Sequence, residues 1–370
     1  MKAEPVWAMG LMSGTSMDGV DAALIRTDGE SVLELGPAHS APYAPEVQAR
    51  FRALLTEAQR LPVNGPLPNE FRAMEAESTA SHAAAVSALI SKSGLQPKDI
   101  VVIGYHGQTI LHRPADRQTL QIGSGAALAK ASGIAVVNDF RSADVRAGGQ
   151  GAPLVPLYHQ ALVKGLRAKD PIAVLNIGGV ANVTYVAPDG ILLAFDTGPG
   201  NALIDDWARQ NTGRGVDLDG KLASLGRVDN ARLKAMLAKD WFAKPGPKSL
   251  DRLDFTLDAV TGLSPEDGAA TLTAFTAATV AEAIQHFPER PERWIVCGGG
   301  RRNPVLMAML RRTLGNNVQS AEDVGWRGDD LEAEAFAFLA VRAMRGLPLS
   351  LPTTTGVPKP LTGGVLHPAR

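Results

Sequence analysis

A chain of 370 residues with 45% hydrophobic side chains has enough apolar surface for two domains or lobes, each with its own core. Lysine and arginine total 37 against 38 aspartates and glutamates, and the resulting net charge of −1 excludes a general electrostatic attraction to nucleic acid or an anionic membrane. The one cysteine, Cys297, excludes an intrachain disulfide and a multi-thiolate zinc site and fits a reducing compartment. Residues 1–10 lack the long apolar run of a signal peptide, and no later stretch reaches the roughly 18 apolar residues that span a bilayer, so a cytoplasmic address is expected.

Residues 6–9 and 20–25 read as strands on either side of Gly10-Leu11-Met12-Ser13-Gly14-Thr15-Ser16-Met17-Asp18-Gly19. The glycines let backbone N–H groups approach an anion, and Ser13, Thr15 and Ser16 add hydroxyl donors, the composition of a phosphate-gripping hairpin. Asp18 and Asp21 are candidates to hold Mg²⁺ directly or through water. Taken alone, the same residues also describe a glycine-rich turn with surface aspartates. Residues 31–41 add a third strand; 46–60 and 69–93 read as helices, the second stopped at Gly94. Residues 100–105 are a buried strand, and the polar run His106-Gly107-Gln108-Thr109 is expected just past its end, where a polyol would be hydrogen-bonded. Strands at 119–122 and 134–137 flank a helix at 125–132, and the second strand ends in Asn138-Asp139-Phe140-Arg141. A glycine-rich crossing, Arg146-Ala147-Gly148-Gly149-Gln150-Gly151-Ala152-Pro153, follows.

Residues 172–186 repeat the opening theme of strand, glycine loop and strand around Asn176-Ile177-Gly178-Gly179-Val180-Ala181-Asn182. An echo of this kind implies duplicated α/β lobes. A strand at 191–195 delivers Asp196-Thr197-Gly198-Pro199-Gly200-Asn201 at its carboxyl end, where open α/β sheets place ligand-binding groups. Helices are expected at 202–210, 231–237 and 268–287. A strand at 294–297 then runs into Gly298-Gly299-Gly300, three successive glycines past which a nucleotide base and ribose fit, before Asn303 and Pro304 start a helix. A last helix covers 330–344. Gly215-Val216-Asp217-Leu218-Asp219-Gly220-Lys221 has the spacing of a P-loop, but Leu222 replaces its Ser or Thr and no strand precedes it. Three glycine loops at strand ends together point to nucleotide phosphates bound between two lobes.

These segments, above all Gly10 to Gly19, Gly104-Tyr105-His106-Gly107-Gln108-Thr109, Asp139-Phe140-Arg141, Phe195 to Asn201 and Val296-Cys297-Gly298-Gly299-Gly300, closely resemble the anhydro-N-acetylmuramic acid kinases nearly end to end. The resemblance implies an α/β fold of two duplicated actin-like ATPase lobes, mixed sheets flanked by helices around a central nucleotide cleft, as in the superfamily of sugar kinases, heat-shock chaperones and actin. One lobe is expected from residues 1–140 with the tail 350–370, the other from 141–349. The implied activity is ATP-dependent opening of 1,6-anhydro-N-acetylmuramic acid by water with phosphorylation to N-acetylmuramic acid 6-phosphate, in cell-wall recycling. Asp196 matches the family's catalytic base. Gly10, Ser13, Gly14, Thr15, Ser16 and Asp18, with Asn176, Gly178 and Gly179, would bind the ATP phosphates, and Gly298, Gly299 and Gly300 the adenosine. His106, Gln108, Asp139, Arg141, Gly198, Gly200, Asn201 and Glu332 would line the sugar site, with Asp18 and Asp21 left to the metal. The resemblance also implies a homodimer acting on small molecules, with no nucleic-acid or membrane partner. A kinase of an ordinary sugar hydroxyl and a nucleotide-gated binding ATPase are the other readings of this chain.

Overall fold

The protein is described from a computed structural model over residues 4–14, 17–62, 65–250 and 254–369. Its strands are β1 (Val6–Ser13), β2 (Gly19–Thr27), β3 (Val32–Pro42), β4 (Ile100–Arg113), β5 (Gln118–Ile122), β6 (Val136–Asn138), β7 (Ile172–Ile177), β8 (Val180–Val186), β9 (Leu192–Pro199), β10 (Arg293–Cys297), β11 (Val318–Ser320) and β12 (Val365–His367). The chain forms two compact units. The first holds the chain through Leu166 together with everything from Asp330 on, and the second is Arg167–Asp329. The sequence reading put the division at 140/141. Helix Pro156–Gly165 and helix Leu331–Met344 fall instead in the first unit, because their buried faces are spent on its core.

In the first unit the sheet runs β12-β6-β4-β1-β2-β3, with β5 hairpinned onto β4. β1, β2 and β3 form an antiparallel meander, and β1, β4 and β6 run parallel. In the second unit the order is β11-β10-β7-β8-β9. Here β7, β8 and β9 form the meander, and β7, β10 and β11 run parallel. Two sheets with the same order and directions are the duplication that the echo at 172–186 implied.

Strand ends are where the sequence reading needs correction. β1 does not stop at Met9 but runs to Ser13, because it ladders with β2 as far as Met12–Asp21 and with β4 as far as Ser13–Gln108. The glycine loop is therefore only 14–18. β4 continues through His106 and Gln108 to Arg113, since β5 pairs back on it, so these polar side chains lie within the strand rather than past it. β7 and β8 extend until only Gly178 and Gly179 join them, and β9 runs on through Asp196 to Pro199. A ladder satisfies backbone donors and acceptors wherever a partner strand lies, which overrides local propensity.

Helices follow their caps more closely. Asn69–Ser93 ends at Gly94 in the left-handed conformation (φ 74°), and Pro304–Leu314 starts where Asn303 Oδ1 accepts from the Val305 and Leu306 N–H groups. The helix expected at 268–287 begins earlier, at Pro265, because Ser264 Oγ caps it from the Asp267 N–H, and it tightens into a 3₁₀ turn at Ala283–His286. No helix among the described residues is long and apolar enough to cross a membrane.

The first core is built from Met9, Leu11, Leu24, Phe51, Phe71 and Ile103, all nearly inaccessible to solvent. Over the same sheet lies helix Leu331–Met344, whose backbone meets two glycines on neighbouring strands. A Cβ on Gly10 would stand 1.7 Å from the Ala333 carbonyl oxygen, and one on Gly104 would stand 2.0 Å from that of Phe336. Gly10 is thus a packing residue inside β1. Replacing Gly10 or Gly104 with Ala is expected to cost about 3 kcal/mol or more, since backbone on both sides must shift. Urea unfolding of each variant measures the loss, and an unchanged midpoint would contradict this packing.

Candidate active site

In the first unit the polar residues gather where β1 and β6 end, beside the middle of β4. Thr15 and Ser16, two of the expected phosphate ligands, lie outside the described residues. Ser13 Oγ donates to Gln108 Oε1 at 2.6 Å and is 3.0 Å from Tyr43 OH. A serine hydroxyl has one proton, so with that bond made Tyr43 is the donor of the second contact. Gln108 Nε2 in turn donates to the Gly14 carbonyl at 3.1 Å, and the Met17 N–H reaches the same oxygen at 3.1 Å. Gln108, buried completely, spends both ends of its amide on the β1–β2 loop, whereas the sequence reading turned it to the sugar.

His106 and Arg141 form the second feature. Arg141 Nε and Nη2 converge on His106 Nε2 at 3.0 and 2.9 Å, and Arg141 Nη1 donates to the Gly151 carbonyl at 2.6 Å. Nε2 must then be unprotonated, and Nδ1–H donates to the Gly107 carbonyl at 2.8 Å. Burial, and next the Arg141 charge, hold the imidazole pKa well below its ordinary value. His106 is therefore a fixed acceptor that aims the guanidinium, braced against Phe336 at 4.6 Å between ring centres. Burial lowers the Arg141 pKa to about 10 while Glu332 and Asp144 oppose the shift, so the group stays charged at neutral pH and Glu332 lies within its field. Asp139, just beyond β6, adopts a left-handed backbone (φ 51°), and its Oδ1 accepts the Ser142 N–H at 3.3 Å. Non-glycine residues keep such strain chiefly where function requires it.

Asp144 was missed by the sequence reading. It is buried, Oδ1 accepting from the Gly151 N–H at 2.6 Å and Oδ2 from the Thr355 hydroxyl at 2.6 Å, so the glycine-rich crossing wraps around a carboxylate. A Cβ on Gly149 would meet Asp144 Oδ1 at 2.2 Å, which explains one of the glycines. The signal available in the chain was a carboxylate just ahead of three closely spaced glycines, Gly148, Gly149 and Gly151.

As for metal, Asp21 is set in β2 with Oδ1 on the Ser40 hydroxyl at 2.5 Å, and Asp18 is exposed in the loop. No cluster of three or more His, Cys, Asp or Glu side chains suited to a metal occurs among the described residues. Mg²⁺ needs few protein carboxylates when it travels with phosphates, and the exposed Asp18 fits that demand better than Asp21.

In the second unit three segments converge. The Gly178–Gly179 turn joins β7 to β8, and its carbonyls accept from the N–H groups of Asn201 (2.7 Å), Gly200 (2.9 Å) and Ala202 (3.1 Å). Asn201 Nδ2 donates to the Ile177 carbonyl at 3.1 Å, with Gly299 and Gly300 packed beside the same side chain. Gly298 needs its glycine, having φ 72° and Asn176 Oδ1 where a Cβ would go. Gly198 is pressed on Thr279 and Gly200 on the Gly178 carbonyl, so both are explained by packing. Gly178, Gly179 and Gly299 are different: none has positive φ, and a Cβ on each would meet nothing closer than 3.6 Å. Nothing within the fold requires glycine there, and a ligand lying close to the backbone would.

Asp196 sits on β9 opposite Asn182. The Leu250 N–H donates to its Oδ2 at 2.8 Å, and its own N–H donates to the Lys248 carbonyl at 3.0 Å. Burial pushes its pKa up to about 7, against the lowering effects of that N–H and of the Lys248 charge. A carboxylate that titrates near neutrality, with one oxygen held, can take a proton with its other oxygen.

Two sheets of one strand order, each an antiparallel meander beside parallel strands, define a duplicated α/β fold. The sequence profile of the anhydro-N-acetylmuramic acid kinase family matches residues 6–369, and the chain belongs to that family. The anhydro-N-acetylmuramic acid kinase of Rhodospirillum rubrum is 58% identical over 98% of this chain and 95% of its own length. That of Paramagnetospirillum magneticum is 54% identical over 97% of this chain and 99% of its own, and that of Bradyrhizobium diazoefficiens 51% over 97% and 98%.

Replacing His106 with Leu removes the acceptor for two N–H groups of a buried guanidinium and is expected to cost about 1–3 kcal/mol. Urea unfolding measures this. In the wild type the His106 ring resonances should stay flat from pH 8 to 5, because the imidazole remains neutral throughout; a titration in that window would refute the assigned tautomer.

Proposed function

We propose that this protein converts 1,6-anhydro-N-acetylmuramic acid, ATP and water to N-acetylmuramic acid 6-phosphate and ADP, with Asp196 as the general base. The reading is carried by one observation: Asp196 is a carboxylate with one oxygen held by the Leu250 N–H and its pKa pushed up by burial to about 7, in a chain that matches this kinase family over residues 6–369. Asp196 takes a proton from water as the water oxygen bonds to the anomeric carbon. The bond from that carbon to the bridging 6-oxygen breaks, and the freed oxygen bonds to the γ-phosphorus as ADP departs. Positioning and electrostatics, rather than covalent chemistry by the protein, lower such a barrier.

The remaining roles are proposed from the family resemblance, with the local geometry in support. Gly178 and Gly179, with Ser13 and Gly14, approach phosphates, and Gly299 approaches the adenosine. Arg141, aimed by His106, offers a guanidinium for the lactyl carboxylate, with Asp139 and Glu332 beside it. Gln108 acts by holding the Gly14 loop. When bound, Mg²⁺ supplies charge neutralisation of the phosphates, and Asp18 is the carboxylate suited to hold it. A cytoplasmic address and a homodimer complete the reading, the first supported by a chain that carries a single cysteine and the second by the family resemblance alone.

Asp196→Asn is expected to reduce turnover by at least a thousandfold with ATP and sugar binding retained by calorimetry, and substantial turnover would remove Asp196 as the base. Because the base must be unprotonated, kcat/KM should fall below about pH 7 and level off above it. In ¹⁸O-water the label should enter the anomeric hydroxyl; unlabelled phosphorylated product would instead indicate a kinase of an ordinary hydroxyl.

A further inference from the structure

The segment 241–250 has no role in the reading above, yet it touches Asp196 twice. The Lys248 carbonyl accepts the Asp196 N–H, and the Leu250 N–H donates to Asp196 Oδ2. The Lys248 side chain turns back on its own loop. Nζ donates to the Trp241 carbonyl at 3.2 Å and the Phe242 carbonyl at 3.0 Å, and it lies 4.4 Å from the centre of the Trp241 ring and 5.7 Å from that of Phe195. His286 Nε2 meets the same Phe242 carbonyl at 2.9 Å, and a Cβ on Gly246 would meet the Phe195 ring at 2.6 Å. The loop is thus pressed on the strand that carries Asp196, with the ammonium as its internal brace.

We propose that Lys248 is a positioning residue for the reaction: seated on the Trp241 and Phe242 carbonyls, its ammonium fixes the 248–250 backbone so that Leu250 N–H occupies one oxygen of Asp196 and leaves the other to the attacking water. This rests on Asp196 being the base. An ammonium with two carbonyl acceptors and an aromatic face is restrained, and the backbone next to it is restrained with it. A carboxylate with one oxygen pinned presents the other in a fixed orientation, which favours proton transfer from a positioned water. The same charge also acts through space. Lys248 lowers the Asp196 pKa, and Asp196 opposes the burial that, with Lys244, brings Lys248 down to about 8. Among the described residues, the charged groups that bear on this pair are Lys248, Lys244 and Asp196 itself, with the His286 ring packed on Phe195.

The test compares Lys248→Met, Lys248→Gln and Lys248→Arg in the full chain, with kcat, KM and pH profiles measured. Lys248→Met loses brace and charge, and its kcat should fall about tenfold or more with KM for ATP unchanged, while the acid limb of kcat/KM moves upward by about half to one pH unit. Lys248→Gln keeps donors without charge, so the limb should move equally and kcat fall less. Lys248→Arg keeps both and should restore wild-type behaviour within about threefold. Circular dichroism and melting temperature separate these effects from loss of fold, and the Gln variant carries the test if the Met variant does not fold. A wild-type profile and kcat in Lys248→Met or Lys248→Gln overturns the proposal, as does a rise in KM at constant kcat. Either result leaves the Asp196 reading standing, which fails only if Asp196→Asn turns over.

Discussion

Helix Leu331–Met344 rests on β1 and β4 at backbone distance, and the first unit depends on that contact. Two strands can receive a helix so closely only if neither presents a Cβ, and Gly10 and Gly104 meet this condition side by side in the parallel register. The contact joins the two ends of the chain: β1 comes from its start and the helix from near its end. The second unit is therefore an insertion in the sequence of the first. It also fixes the polar residues that matter, since β1 continues from Gly10 to Ser13 and β4 from Gly104 through His106 to Gln108. Glu332 and Glu334 start the helix that sits above them.

The two units use one architecture for different ends. In each, a meander feeds a parallel pair, and the first turn of the meander carries glycines. In the first unit Gln108 holds the Gly14 carbonyl and Ser13 Oγ, which Tyr43 also meets. In the second the turn is Gly178 and Gly179, whose carbonyls are tied to the start of helix Ala202–Thr212 and whose outer side is open. The sorting of glycines follows. Gly10, Gly104 and Gly298 are required by close neighbours or a positive φ, while Gly178, Gly179 and Gly299 have neither.

Electrostatics separates the titratable groups by role. His106 and Asp196 are both surrounded by protein, but burial acts on them in opposite chemical senses. It keeps the imidazole neutral and so a permanent acceptor for Arg141, whereas it brings the carboxyl into the range where proton transfer is useful. Asp144 shows a third outcome. A buried carboxylate with the Gly151 N–H and the Thr355 hydroxyl on its oxygens serves as a scaffold for the glycine crossing.

By itself the sequence determined the fold class, the duplication, the extent of helices such as Asn69–Ser93 with its glycine stop, and the family. Hydrophobic period, capping residues and long motifs are local along the chain, and so they are legible there. Only the tertiary structure decided where strands end, that Gly10 packs a helix, that Gln108 holds a loop, that His106 is an acceptor, and that Lys248 and Leu250 brace Asp196. Each of these depends on a partner that is remote along the chain or on the exact course of a ladder or loop. A side chain's role is set by which donors, acceptors and carbonyls fill its surroundings once the chain has folded, and residue type and spacing do not carry that information.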